Sequence, residues 1–168
     1  NTEDFTGRPH SSVDGRHIIW VAQENREHLL GHLGLLGLRE RVMPWATGGP
    51  GEGELGGALE TTLARWADAA HAAGGLVVLA HFPTPNTEAP VLVASGRADA
   101  IEMYDQLDYE HLEYYRYLND GYRLPLVAGT DKMASGVPVG LYRTYGNVGT
   151  DEPFTFERWS AGIRAGRT

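Results

Sequence analysis

Four residues far apart in this chain, Glu24, His32, His81 and Asp131, are of types that bind divalent cations. His81 follows the apolar run Leu76-Val77-Val78-Leu79-Ala80, and Asp131 stands in Gly129-Thr130-Asp131-Lys132. Glu24 lies in Gln23-Glu24-Asn25-Arg26, and His32 opens onto Leu33, Leu35, Leu36 and Leu38. Each has an ordinary alternative. His81 would serve as a capping or buried histidine, Asp131 as a helix N-cap, Glu24 as a first-turn acid favoured by the helix dipole, and His32 as a core-edge histidine. Jointly they offer two imidazoles and two carboxylates, the ligand types that activate water on a divalent ion. The chain has no cysteine, which removes thiolate ligands, disulfides and a cysteine nucleophile together. A site of nitrogen and oxygen ligands suits zinc first, with manganese or iron as alternatives.

Other constellations carry less. His28 and His32 have the spacing of one helical face, but His28-Leu29-Leu30-Gly31-His32 lacks the glutamate that follows the first histidine in zinc proteases. The stretch Gly51-Glu52-Gly53-Glu54-Leu55-Gly56-Gly57 resembles a phosphate cradle only in its glycines, because two carboxylates repel phosphate. No Gly-x-Ser-x-Gly elbow occurs. The tyrosines at 104, 109, 114, 115, 117 and 122 read as helix packing before they read as a substrate-facing wall.

The chemistry needs elements to position it. After an irregular lead-in over 1–16, His17-Ile18-Ile19-Trp20-Val21-Ala22 reads as a buried strand, with Glu24 just past its end. Residues 44–57 read as a long loop rich in glycine and proline. Residues 58–73 form the clearest helix, with Leu59, Leu63, Trp66, Ala67 and Ala70 on one face and Gly74-Gly75 as its stop. Strands are expected at 76–80, 100–104, 125–128 and 142–148, and helices at 89–95, 108–119 and 154–165. Alternating strands and helices imply an α/β fold with a mostly parallel sheet, in which the strands near Glu24, His81, Glu102 and Asp131 are expected side by side and ligands bind beyond the carboxyl ends of the strands. That rule selects Glu24, His81, Asp105 and Asp131, with Glu102 inside its strand.

Composition sets the outer bounds. The chain has 168 residues, one domain's worth, and is short for a complete α/β barrel of about 200 or more. It carries a net charge of −8, which argues against a broad nucleic-acid surface. No apolar run reaches the roughly 18 residues of a membrane span. The acidic, polar start has no signal-peptide pattern and no initiator methionine, so the residues are expected to be internal to a longer product.

Taken in order, these segments resemble the CehA/McbA subfamily of PHP-type metallohydrolases. The resemblance rests on Gln23-Glu24-Asn25-Arg26 with Gly31-His32, Trp66-Ala67-Asp68, Gly74-Gly75-Leu76-Val77-Val78 running into His81, and Asp99-Ala100-Ile101-Glu102. It continues through Tyr115-Arg116-Tyr117-Leu118-Asn119, Gly121-Tyr122-Arg123-Leu124-Pro125, Gly129-Thr130-Asp131-Lys132-Met133 and Tyr142-Arg143-Thr144-Tyr145. It implies a distorted (β/α) barrel with a metal centre at the strand ends, of which residues 1–168 would be the C-terminal part. The family's opening His-x-His is absent here and is expected upstream of Asn1. The closing Asp-x-His is replaced by Asp131-Lys132-Met133, where Lys132 would stand in for a second cation or contact substrate.

The leading functional expectation is a hydrolase using metal-activated water on an ester, amide or carbamate bond of a small molecule. Glu24, His32, His81 and Asp131 would be the ligands, with Glu102 and Lys132 bordering the cavity. The alternatives are a PHP-type phosphoesterase, with Arg116, Arg123, Arg143 and Lys132 as an anion pocket, or an inactive structural fragment.

Overall fold

The sheet of this protein is built from apolar runs in the middle of the chain and one almost wholly polar segment near its start. The computed structural model describes residues 4–47, 61–83, 87–103, 110–149 and 153–168. In chain order the elements are β1 (His10–Ser11), β2 (Ile18–Ile19), β3 (Gln23–Glu27), β4 (Gly31–Leu36), β5 (Ala46–Thr47), α1 (Leu63–Ala72), β6 (Leu76–Phe82), α2 (Ala89–Ala94), β7 (Ala100–Met103), α3 (Glu110–Asn119), β8 (Leu126–Val127) and α4 (Phe156–Arg164). The fold is mixed α/β, and six of the strands form one mostly parallel sheet in the order β5-β3-β4-β6-β7-β8. Strands β3, β6, β7 and β8 run the same way, while β4 is antiparallel to both its neighbours.

Three expectations need correction. The strand expected over 17–22 shrinks to Ile18–Ile19, which pairs with β1 outside the main sheet. Glu24 therefore follows no sheet strand; it is the second residue of β3. Second, the strands near Glu24 and His81 are not adjacent, because β4 lies between them. Third, no strand forms over 142–148. There the Thr144 hydroxyl takes the Ala128 N–H at 2.8 Å and donates to the Ala128 carbonyl at 3.1 Å, the two groups that a neighbouring strand would have paired. The His28/His32 pair has no common helix, since a turn separates β3 from β4. Leu59, Asp105, Tyr104, Tyr109 and most of the Gly-rich loop lie outside the described residues.

Period-two alternation sorts the sheet into two faces. Leu33, Leu35, Val77, Leu79 and Ile101 pack against Leu63, Trp66, Ala67 and Ala70 of α1 and Ala89, Leu92 and Val93 of α2. Helix α1 starts at the Thr62 cap, whose side chain accepts the Arg65 N–H, and Gly74 at φ +79° ends it in a conformation that costs other residues energy. On the opposite face Leu76, Val78 and Ala100 meet Ile163 and Trp159 of α4.

A polar clamp ties the layers together at the start of β6. Asp99 accepts from Val77 N–H at 2.8 Å and lies 2.9 Å from His71 Nε2, while Arg164 Nε donates to its other oxygen at 3.0 Å. Arg164 also donates to the Gly75 carbonyl at 2.7 Å, so α1, α4 and the sheet share one carboxylate. Among the described residues no helix is long and apolar enough to cross a membrane.

Leu79 is fully buried at the centre of the sheet, whereas Val91 of α2 is 53% exposed. Leu79→Ala should cost about 2–5 kcal/mol in urea unfolding, and Val91→Ala no more than about 0.5 kcal/mol.

Candidate metal centre

Strand β3 has no apolar pattern, yet its geometry is well supported. Its inward side chains, Asn25 and Glu27, are 0% and 3% exposed. Asn25 Nδ2 donates to the Val42 carbonyl at 3.1 Å, and the Glu27 carboxylate accepts the N–H groups of Leu29, at 2.7 Å, and Leu30. Because those groups are hydrogen-bonded, their burial carries little of the usual penalty. Alternation then puts Glu24 and Arg26 on the other face. The register pairs Glu24 with Gly34 and Arg26 with His32, so Glu24 and His32 share that face. His32 sits at the start of β4, which the antiparallel direction brings level with the end of β6.

His81 reaches the same face by a different route. By alternation it would follow Val77 and Leu79 toward α1. In the β6/β7 ladder, however, Leu79 pairs with Ile101 and Phe82 with Met103, so Ala80 and His81 together oppose Glu102. This is a bulge, one extra residue that re-aims a side chain. His81 has φ +33°, and its N–H donates to Glu102 Oε2 at 2.9 Å. Among the described residues, His81 and Asp131 (φ +43°) are the two non-glycine positions with positive φ. Such strain costs about 1–3 kcal/mol and is concentrated at functional sites.

The three side chains converge. Glu24 Oε1 lies 3.2 Å from His32 Nδ1 and 3.3 Å from His81 Nε2, and the two ring nitrogens are 2.9 Å apart. This group could hold a metal ion. Hydrogen bonds from His32 and then His81 hold Glu24 well below the usual carboxylate range, and an ionised carboxylate only accepts. If both ring nitrogens carried protons toward Glu24, they would face each other at 2.9 Å with no acceptor between them. If one did, the other edge to the carboxylate would lack a donor. A cation at the centre would engage all three lone pairs. Zinc bonds of 2.0–2.1 Å at tetrahedral angles separate ligand atoms by about 3.3 Å, close to the observed triangle. Two imidazoles and a carboxylate are also a zinc-type donor set that leaves a fourth position open. The imidazoles are 9% and 15% exposed and Glu24 is 41% exposed, so access is from the Glu24 side.

The remaining expected residues are distributed around this centre. Burial pushes the Glu102 carboxyl up, and the charges of Asp131 and Glu24 push the same way, against the opposing effect of the His81 N–H. A Cβ on Gly129 would run into Glu102 Oε1, so the carboxyl rests on bare backbone. Asp131 stays outside the three-residue group, and its charge faces Glu102 instead. Lys132 turns away into its own loop, its ammonium donating to the carbonyls of Ala134 at 2.7 Å, Ser135 at 3.2 Å and Val137. Arg116 pairs with Glu113 on α3. Arg123 and Arg143 line a cavity of about 1140 Å³, which runs along β8 and contains none of the three converging residues.

Sequence reasoning missed Gly34 and Gly129, which keep the sheet face beside the carboxylates open. A glycine inside a strand pattern signals close approach, and Gly34 within His32-Leu33-Gly34-Leu35-Leu36 was such a signal. No protein-family model matches this chain, and comparison with curated proteins and with solved structures yields no match either.

The shift at Glu24 has a definite sign. Its folded-state pKa is depressed, so its stabilising contribution is present above the ordinary carboxylate value of about 4.3 and is lost as pH falls toward the folded value. In metal-free protein, the melting-temperature gap between wild type and Glu24→Gln should therefore shrink as the buffer is acidified below about pH 4. A gap that widens on acidification would contradict the assignment.

Proposed function

We propose that this chain is a metal-dependent hydrolase of the PHP type, akin to the CehA/McbA subfamily, acting on an ester, amide or carbamate bond of a small molecule. In this reading its sheet is part of a distorted (β/α) barrel. The observation that carries the proposal is the triangle of Glu24 Oε1, His32 Nδ1 and His81 Nε2, with edges of 2.9–3.3 Å, at the end of β6. Those three residues would hold the ion, zinc in the first instance. A bound divalent ion supplies Lewis acidity and brings the pKa of coordinated water down to about 7.

The chain's own groups do the rest. Glu102 fixes the bulged His81 peptide through its N–H, which aims the imidazole at Glu24. Its carboxyl, held up by burial and by Asp131, keeps a proton longer than an ordinary glutamate. Such a group suits proton donation to a departing alkoxide or amine. Asp131 acts through Glu102, by opposing loss of that proton. Of the four cations expected for a phosphate pocket, Lys132 is committed to loop carbonyls, Arg116 to Glu113, and Arg123 lines a separate cavity, which leaves Arg143 alone beside Glu102 and favours a carbonyl substrate over a phosphoester.

Metal analysis and a substrate panel test this. The purified full chain loaded with zinc should bind about one ion and hydrolyse nitrophenyl esters or carbamates faster than nitrophenyl phosphate. His81→Ala should lose the ion and at least about 100-fold in activity, with an unchanged far-ultraviolet circular dichroism spectrum. A chain that binds no zinc would overturn the proposal, and preference for the phosphate would move it to the phosphoesterase reading.

Glu102→Gln separates proton donation from positioning. It should retain zinc, lose the alkaline descent of the pH–rate profile, and fall about 10²–10⁴-fold in kcat. An unchanged pH profile would remove Glu102 from proton transfer.

A further inference from the structure

A second cavity lies on the same sheet face as the metal-type triad. It encloses about 350 Å³, a volume in the range of small-ligand sites, and its floor includes Gly34, Val78 and Glu102. Leu36, Leu76 and Ile163 continue an apolar base, and Trp159 of α4 forms one wall. Ala128, Gly129, Thr130 and Thr144 also line it, together with the exposed Tyr142 and Arg143.

Two residues join this cavity to the triad. Glu102 lines it and accepts the His81 N–H. Gly34 lines it too, and is the register partner of Glu24 on one side and of Val78 on the other. The depth of the cavity over β4 therefore depends on the absence of a side chain at position 34. A Cβ there would find Val78 Cβ at 3.6 Å and the Val78 carbonyl oxygen at 3.8 Å, ordinary contacts, so an alanine fits the fold while filling the floor. Every other strand residue in the apolar base carries a branched aliphatic side chain, which makes Gly34 the low point.

Resting on the hydrolase reading, we infer that this cavity seats a ring-sized apolar group of the substrate, and that Gly34 and Trp159 set the size it accepts. The group would lie over Gly34 and against Leu36 and Val127, with Trp159 across it and the scissile bond toward Glu102. Gly34 is thus a specificity-determining position that need not touch the reacting atoms.

The test combines binding and selectivity in the full chain. Phenol is the binding probe, followed through the Trp159 indole N–H resonance, which Trp159→Phe identifies. Phenol should shift that resonance saturably in wild type, and Gly34→Ala should weaken its binding about tenfold, one methyl's worth in an apolar pocket. With zinc bound, Gly34→Ala should raise KM for phenyl acetate about tenfold and leave methyl acetate, which has no ring, unchanged. Zinc content and melting temperature should match wild type. A phenol titration that leaves Trp159 unmoved overturns the inference, as does Gly34→Ala with the phenyl-to-methyl acetate ratio of wild type. Loss of zinc in Gly34→Ala also overturns it, because the glycine would then act through Glu24. If phenol binds as described but no zinc binds and no ester is cleaved, the hydrolase reading fails while the apolar ring site stands.

Discussion

The hydrogen bond from the His81 N–H to Glu102 Oε2, 2.9 Å long, holds the candidate centre in place. A bulge in a parallel ladder leaves a peptide N–H without a strand partner, and burying it unpaired would cost about 1–3 kcal/mol. Glu102 satisfies that donor from the strand alongside. In doing so it makes a positive φ at His81 tolerable and turns the imidazole from the α1 face to the face of Glu24 and His32. Without this bond the alternation of β6 would return His81 to the helix side. The carboxylate and the imidazole thus depend on one another before any ion is involved.

The electrostatics of this face follow from the same arrangement. Glu24, Glu102 and Asp131 bring three acidic groups near one sheet end in a chain whose net charge is already −8. Glu24 and Glu102 respond in opposite ways. Glu24 meets two imidazoles and is held below the usual carboxylate range, while Glu102, deeper and facing like charge, is pushed above it. Two carboxyls driven apart in this manner are suited to different tasks, one as an anion that holds a cation and one as an acid.

Much of the sheet was legible because hydrophobic burial writes itself as pattern. The runs at Leu76, Ala100 and Leu126, the α1 stripe with Leu63, Trp66 and Ala70, and the final helix all appear near their expected positions. Strand β3 was not legible. Its inward Asn25 and Glu27 are held by hydrogen bonds to Val42 and to the turn at Leu29 and Leu30, contacts that no periodicity records. At the candidate site, Glu24, His32 and His81 were identifiable by residue type, but the reason they meet was not. It lies in an antiparallel strand between two parallel ones and in a bulge, both of which depend on pairing across the sheet. Asp131 looked equivalent to the others in sequence; strand order places β7, and with it Glu102, between its strand and β6.

The Thr144 hydroxyl at Ala128 bears on how this protein meets other chains. A parallel sheet ending in an exposed strand offers a template on which a foreign strand can grow, the usual start of aggregation. Here β8 is two residues long, and the peptide groups of Ala128 just beyond it are already engaged by one small hydroxyl. A newcomer would have to displace Thr144 to extend its ladder past Val127. One side chain thus covers the peptide groups just past β8.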